Sequence, residues 1–259
     1  MKPELSIVLI QMNIFWKDIS KNINQITKRL EQINNKVDII LLPEMFSTGF
    51  TMVPENVYEK MKGETIKWMK EIAIKYDSGI GGSLLIKEKS KFYNRFLFVT
   101  PSGRVEFYDK RHTFTFVGED KKYMSGKNKG IIKFRGWKIC LRICYDLRFP
   151  VWSRNKYNYD LLIYVANWPS PRINAWDKLL SARAIENCCY CVGVNCIGED
   201  PNKNIYPGHS STYDYYGNLI SVELSDKAEN INVTIDHRSL LKYRKKFGFL
   251  KDQDTFELY

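Results

Sequence analysis

The sequence predicts a single α/β domain, and three observations predict it. Strand-like apolar runs alternate with segments of helical period along the chain. The 259 residues are 44% hydrophobic, with only 15 Gly and 9 Pro. No Pro/Gly-rich linker or long loop divides the alternation, so the domain is expected to cover residues 1–259. That composition excludes a disordered or collagen-like chain, and the length can bury a sizeable core.

The elements follow in order. Residues 5–12 are almost continuously apolar and read as a buried strand. Ile19, Ile23, Ile26, Leu30 and Ile33 then recur at steps of four and three, an amphipathic helix. Residues 37–42 form a second buried strand that ends at Pro43-Glu44. Ile66, Met69 and Ile72 mark another helix, followed by strands near 79–86 and 92–99. Pro101-Ser102-Gly103-Arg104 turns a hairpin into a strand closing at Tyr108-Asp109-Lys110. A second hairpin, 130–134 and 137–143 around Arg135-Gly136, delivers the chain to Cys144, where a sharp turn and a helix start are expected. Beyond it lie a strand at 161–166, a helix at 175–187 and a strand at 189–195. Residues 211–216 and 219–224 flank Gly217-Asn218, 231–235 is a last strand, and 240–259 is a C-terminal tail.

Charge and cysteine usage narrow the function. Lys+Arg number 40 against 29 Asp+Glu, a net charge of +11. Lysines cluster at 87, 89 and 91, at 121, 122, 127 and 129, and in Lys242-Tyr243-Arg244-Lys245-Lys246. Acidic residues interleave with several of these and no nucleic-acid-reading motif accompanies them, so a solvated basic surface is expected rather than nucleic-acid binding. Such a surface can also draw in an anionic substrate. No apolar run approaches the roughly 18 residues of a membrane helix. Leu5-Ser6-Ile7-Val8-Leu9-Ile10 is too short for a signal peptide and lacks a cleavage site, so a cytoplasmic location is expected. The cysteines stand at 140, 144, 188, 189, 191 and 196. Adjacent cysteines on a strand point to opposite faces and no His lies near, so burial as small hydrophobes is favoured over a zinc site. Neither a metal nor a cofactor is expected.

Three ionisable residues close apolar strands. Glu44 follows Val37-Asp38-Ile39-Ile40-Leu41-Leu42-Pro43, Lys110 follows Val105-Glu106-Phe107-Tyr108-Asp109, and Cys144 ends the alternating strand Trp137 to Ile143. Each alone is a turn residue or surface decoration, but together they meet the needs of amide hydrolysis. A cysteine attacks a carbonyl only as thiolate, so it needs a neighbouring cation or base. The oxyanion needs donors, which an ammonium and a backbone N–H supply. One carboxylate can protonate the leaving ammonia and then activate water.

Leu41-Leu42-Pro43-Glu44, Tyr108-Asp109-Lys110-Arg111-His112 and Ile143-Cys144-Tyr145-Asp146-Leu147-Arg148-Phe149-Pro150 resemble, in order, the three signature segments of the nitrilase superfamily of carbon-nitrogen hydrolases. The resemblance implies a four-layer αββα sandwich, sheets paired across a homodimer or higher homo-oligomer, and a small-molecule amide as substrate. It implies Cys144 as nucleophile, Glu44 as base and proton shuttle, and Lys110 with the Tyr145 amide as oxyanion site. Glu119 matches the family's further carboxylate, which helps to position substrate. Tyr145 to Arg154, and Ala166-Asn167-Trp168-Pro169 followed by Arg172 and Trp176, look like the bacterial omega-amidases, or 2-oxoglutaramate amidases. Those enzymes release ammonia from the terminal amide of 2-oxo acid monoamides. By position, Phe116 and Trp168 are either pocket walls or ordinary core and interface aromatics. Arg111, Arg148 and Arg172 are all candidates for a substrate carboxylate. Phe149, Val151, Trp152 and Tyr157 are expected as exposed apolar residues at the dimer seam.

Other readings stay open at this point. They are a different amidase of the same superfamily, acting on aliphatic amides or N-carbamoyl compounds; a Cys-His hydrolase using His112, His209 or His237; and a basic binding module without enzymatic activity.

Overall fold

A computed structural model describes residues 2–257. In chain order the elements are β1 (Glu4–Gln11), α1 (Ile19–Leu30), β2 (Ile39–Leu41), α2 (Glu64–Lys75), β3 (Gly79–Glu88), β4 (Lys91–Val99), β5 (Val105–Asp109), β6 (Ile131–Phe134), β7 (Trp137–Ile143), α3 (Pro150–Ser153), β8 (Leu161–Ala166), α4 (Ile173–Asn187), β9 (Tyr190–Asn195), β10 (Ile197–Glu199), β11 (Ile205–Pro207), β12 (Ser211–Tyr213), β13 (Glu229–Asp236) and α5 (His237–Phe247). Two sheets carry the fold, one of order β13-β1-β2-β3-β4-β5 and one of order β12-β9-β8-β7-β6. β1, β2 and β3 are parallel, as are β7, β8 and β9.

The strand period sorts the layers. Leu5, Ile7 and Leu9 of β1 pack with Ile139, Leu141 and Ile143 of β7 and Leu161, Ile163 and Val165 of β8 between the sheets. The alternate residues Val8 and Ile10 face Ile26 and Leu30 of α1 and Ile66, Met69 and Ile72 of α2. Cys140, Leu162 and Tyr164 face Trp176, Leu180 and Ala184 of α4 on the far side. Because successive side chains leave opposite faces of a strand, a strand apolar at every position must be covered on both sides. The result is helix, sheet, sheet, helix: the expected four-layer αββα sandwich.

Several boundaries differ from the sequence expectation. The first helix stops at Leu30 rather than running to Ile33. Residues 219–224 form no strand and meet residues 211–213 through the bridge Tyr213↔Leu219 and a bond from Thr212 N to Ser221 Oγ. Ile220, Val222 and Leu224 are exposed there, so no layer covers an alternating face. The expected tail from 240 begins inside α5, whose Leu240 and Tyr243 join the inter-sheet core; residues 258 and 259 lie outside the described region. Trp152, expected at the surface, is buried because its indole N–H donates to Tyr108 Oη at 3.0 Å, while Val151 and Tyr157 are exposed. Cys140, Cys188, Cys189, Cys191 and Cys196 are buried free thiols; the first four pack as small hydrophobes, while Cys196 Sγ donates to Asn167 Oδ1 at 3.0 Å. No helix among the described residues is long and apolar enough to cross a membrane.

Candidate active site

The fold brings the three strand-end residues to one place. β5 runs the same way as β3, two antiparallel steps removed, so Glu44, just past β2, and Lys110, just past β5, share the carboxyl edge of the first sheet. Cys144, just past β7, and Asn167, just past β8, share that edge of the second. In open α/β sheets this edge is where ligands bind.

Lys110 and its partners are almost wholly enclosed. Glu44, Lys110 and Glu119 are 1%, 1% and 0% exposed. Lys110 Nζ donates to Glu44 Oε1 at 3.0 Å and to Glu119 Oε1 and Oε2 at 3.0 and 2.9 Å. Burial opposes the ammonium charge, but Glu119, Glu44 and Cys144 more than offset it and hold the lysine protonated. Burial pushes the Glu119 carboxyl above its ordinary range and Glu44 adds to that, against the pull of Lys110. The Phe114 N–H donates to Glu119 Oε2 at 2.5 Å. Glu44 is also held from the second sheet: Asn167 N donates to its Oε2 at 2.8 Å, and Asn167 Nδ2 to its main-chain carbonyl at 2.8 Å.

Cys144 occupies a strained corner. Its φ is +43°, left-handed for a residue with a Cβ, a conformation worth about 1–3 kcal/mol of strain that surrounding structure must hold. Asp146 does so. Buried, it accepts from Ile143 N (3.1 Å), Tyr108 Oη (2.8 Å) and His112 N (3.0 Å), joining the cysteine turn to the lysine loop. Residues 144–148 form a 3₁₀ turn whose first N–H groups, Tyr145 among them, have no partner within the turn. The thiol is not a resting thiolate in this surrounding. Burial and then Glu44 hold its pKa well above the ordinary value; Glu119 adds to this and Lys110 only partly opposes it. Two carboxylates outweigh one ammonium, so the resting sulfur keeps its proton.

Glu44, Lys110 and Cys144 floor a pocket of about 360 Å³, with Glu119 enclosed behind Lys110 and outside the lining. Trp168, 3% exposed, forms one wall and donates its indole N–H to the Arg172 carbonyl at 2.8 Å. Phe116 also lines the pocket but is 83% exposed, so it stands at the rim. Arg172 lies 5.3 Å from the Phe114 ring centroid and Arg148 lies 5.2 Å from that of Trp168. Both line the pocket, and among the described residues neither forms a salt bridge. Arg111 is outside the pocket, against Trp152 and the Gly126 carbonyl.

The three histidines are engaged elsewhere, and none lines the pocket. His112 Nδ1 lies 2.8 Å from Asp146, His209 Nδ1 lies 3.0 Å from Asp177, and His237 Nε2 lies 3.3 Å from Asp160. Sequence reasoning missed Ser83, Asn94 and the bonding role of Asn167. The available signal for the first two was a polar side chain inside an otherwise apolar strand.

The fold and this site define a class. A carbon-nitrogen hydrolase family model matches residues 7–245, and the chain belongs to that family. It is 41% identical over 257 residues to the omega-amidase YafV of Escherichia coli strain K12, covering 99% of this chain and 100% of that one. It is 31% identical over 221 residues to the 2-oxoglutaramate amidase of Bacillus subtilis strain 168, covering 83% and 85%. A CN-hydrolase superfamily protein of Xanthomonas campestris, solved with an arsenic adduct in its active site, matches with a TM-score of 0.96 at 36% identity, covering 100% of both chains.

Proposed function

We propose that this protein is an omega-amidase, hydrolysing the terminal amide of small 2-oxo acid monoamides to release ammonia. One observation carries the reading. Buried Glu44 and Lys110, the lysine backed by Glu119, meet Cys144 on the floor of a pocket that also holds Arg148 and Arg172 without acidic partners. An amide with a carboxylate at its far end suits both halves. The relatives named omega-amidase and 2-oxoglutaramate amidase support the same substrate class.

The chemistry follows from the charges. Glu44 takes the Cys144 proton as sulfur attacks the amide carbon, because the thiol does not ionise unaided in this surrounding. The oxyanion rests on the Lys110 ammonium and the Tyr145 N–H. Glu44 returns its proton to the departing nitrogen, leaving a thioester and free ammonia. A water then gives a proton to Glu44 and attacks the thioester; collapse frees the carboxylic acid, and the sulfur recovers its proton. Glu119 fixes the lysine and the substrate amide.

A 2-oxo acid should be preferred to a 2-amino acid. Glu44 and Asp200 are the acidic residues lining the pocket. Asp200 is already saturated by Asn202 N, Asn204 N, Asn204 Nδ2 and Tyr206 Oη at 2.8–3.0 Å. A buried ammonium would find no carboxylate free to pair with it there, a loss of several kcal/mol. Ammonia release from 2-oxoglutaramate, 2-oxosuccinamate, glutamine, asparagine and a simple nitrile at equal concentration tests this. The 2-oxo acids should lead; glutamine or a nitrile as best substrate defeats the assignment.

The reading includes a cytoplasmic homodimer. Exposed Val151 and Tyr157, just after the cysteine turn, supply part of an apolar seam. Light scattering should then give about twice the 30.5 kDa chain mass, and a fully active monomer refutes the dimer.

A further inference from the structure

Ser83 of β3 and Asn94 of β4 have no part in the steps above. They are 0% and 1% exposed. The positions beside them on the same face are Gly81, where a Cβ would lie 2.9 Å from the Phe96 ring, and Phe96, part of the inter-sheet core. A hydroxyl and a carboxamide in such a layer are costly unless every group is satisfied. Here one directed chain satisfies them. Met45 N–H donates to Ser83 Oγ at 2.8 Å, Ser83 O–H donates to Asn94 Oδ1 at 2.8 Å, and Asn94 Nδ2 donates to Glu44 Oε1 at 2.7 Å. A longer contact, 3.5 Å, runs from Nδ2 to Glu119 Oε1.

The direction is forced. A backbone N–H can only donate and a carboxylate can only accept, so the Asn94 amide nitrogen faces Glu44, its oxygen faces Ser83, and the Ser83 hydroxyl gives its proton to that oxygen. Ser83 is opposite Phe96 and Asn94 opposite Leu85, so the two polar residues are diagonal neighbours on one sheet face. The chain starts at the peptide N–H directly after Glu44, at a residue with φ of +44°, and ends on the Glu44 side chain.

We propose that Ser83 and Asn94 are positioning residues for the general base, a relay that clamps the backbone and the carboxylate of Glu44 together. The inference rests on Glu44 acting as base. The N–H donor on Oε1 fixes the orientation of the carboxylate that must accept the thiol proton. Lys110, Glu119, Cys144, Cys196, Tyr123 and Tyr206 are the titratable groups that share this electrostatic environment.

Asn94→Leu keeps the approximate size but removes the donor, and Ser83→Ala removes only the hydroxyl that sets the amide. The expected result for Asn94→Leu is a kcat loss of about 10- to 100-fold, the scale of one hydrogen bond to a charged group. KM for the amide should hold. Ser83→Ala should show the same split at smaller size. If Asn94→Leu fails to fold, Ser83→Ala decides. A wild-type kcat, or a change confined to KM or to Tm, overturns the relay. Glu44→Gln in the same assay separates the two levels: if it turns over, the base assignment itself falls. If it is inactive while both relay variants behave as wild type, the relay alone falls.

Discussion

Lys110→Met removes the ammonium that touches both Glu44 and Glu119, at 2.9–3.0 Å. It leaves two carboxylates 1% and 0% exposed. Losing one partner of a buried ion pair destabilises by about 3–5 kcal/mol. For a domain of this size that is a fall in Tm on the order of 10 °C near neutral pH. Protonating one carboxyl relieves the repulsion, and Glu119 is the one to take the proton, since burial already raises its pKa. A carboxyl whose folded pKa lies above its unfolded value binds more protons when folded, so its contribution to stability grows as pH falls through the folded value. The Tm deficit of the variant should therefore be largest near about pH 8 and shrink toward about pH 5. Turnover should fall about 100- to 1000-fold through the lost oxyanion donor. Thermal unfolding of both proteins across that range, with initial rates of ammonia release, measures both effects. A deficit that does not change with pH, or turnover within about threefold of wild type, refutes the argument.

Other outcomes are expected. Cys144 lines the pocket while the other five cysteines are buried, so iodoacetamide should label it first, with a rate that climbs steadily with pH because its thiol resists ionisation. Peptide mapping that finds Cys140 or Cys196 labelled first contradicts this. Asp146→Ala strands the donors Ile143 N, His112 N and Tyr108 Oη, at about 1–3 kcal/mol for each buried group left unpaired. Both Tm and kcat should drop, whereas His112→Ala, which spares the main-chain bonds, should keep most activity. Arg172→Ala and Arg148→Ala should raise KM for 2-oxoglutaramate about tenfold or more. A neutral aliphatic amide should hardly be affected, and equal effects on both substrates would remove the arginines from carboxylate binding.

The apolar runs and their periods were enough to read the layers. Val37 to Leu42, apolar on both faces, demanded cover on two sides, and the helical repeat from Ile19 supplied one of the covers. Glu44, Lys110 and Cys144 could be read because each follows such a strand directly, and a strand end fixes where its next side chain stands. What the sequence by itself could not decide came from contacts between distant segments. Ser83 on β3, Asn94 on β4 and Asn167 just past β8 converge on Glu44 and the peptide after it, and no local pattern relates them. Arg111 and Arg148 were equal candidates until the turn after Cys144 sent one into the pocket and packed the other against Trp152. The cysteine itself was legible; its protonation was not. That depends on two carboxylates and one ammonium brought from positions 44, 119 and 110 into one enclosed volume, where burial magnifies every charge.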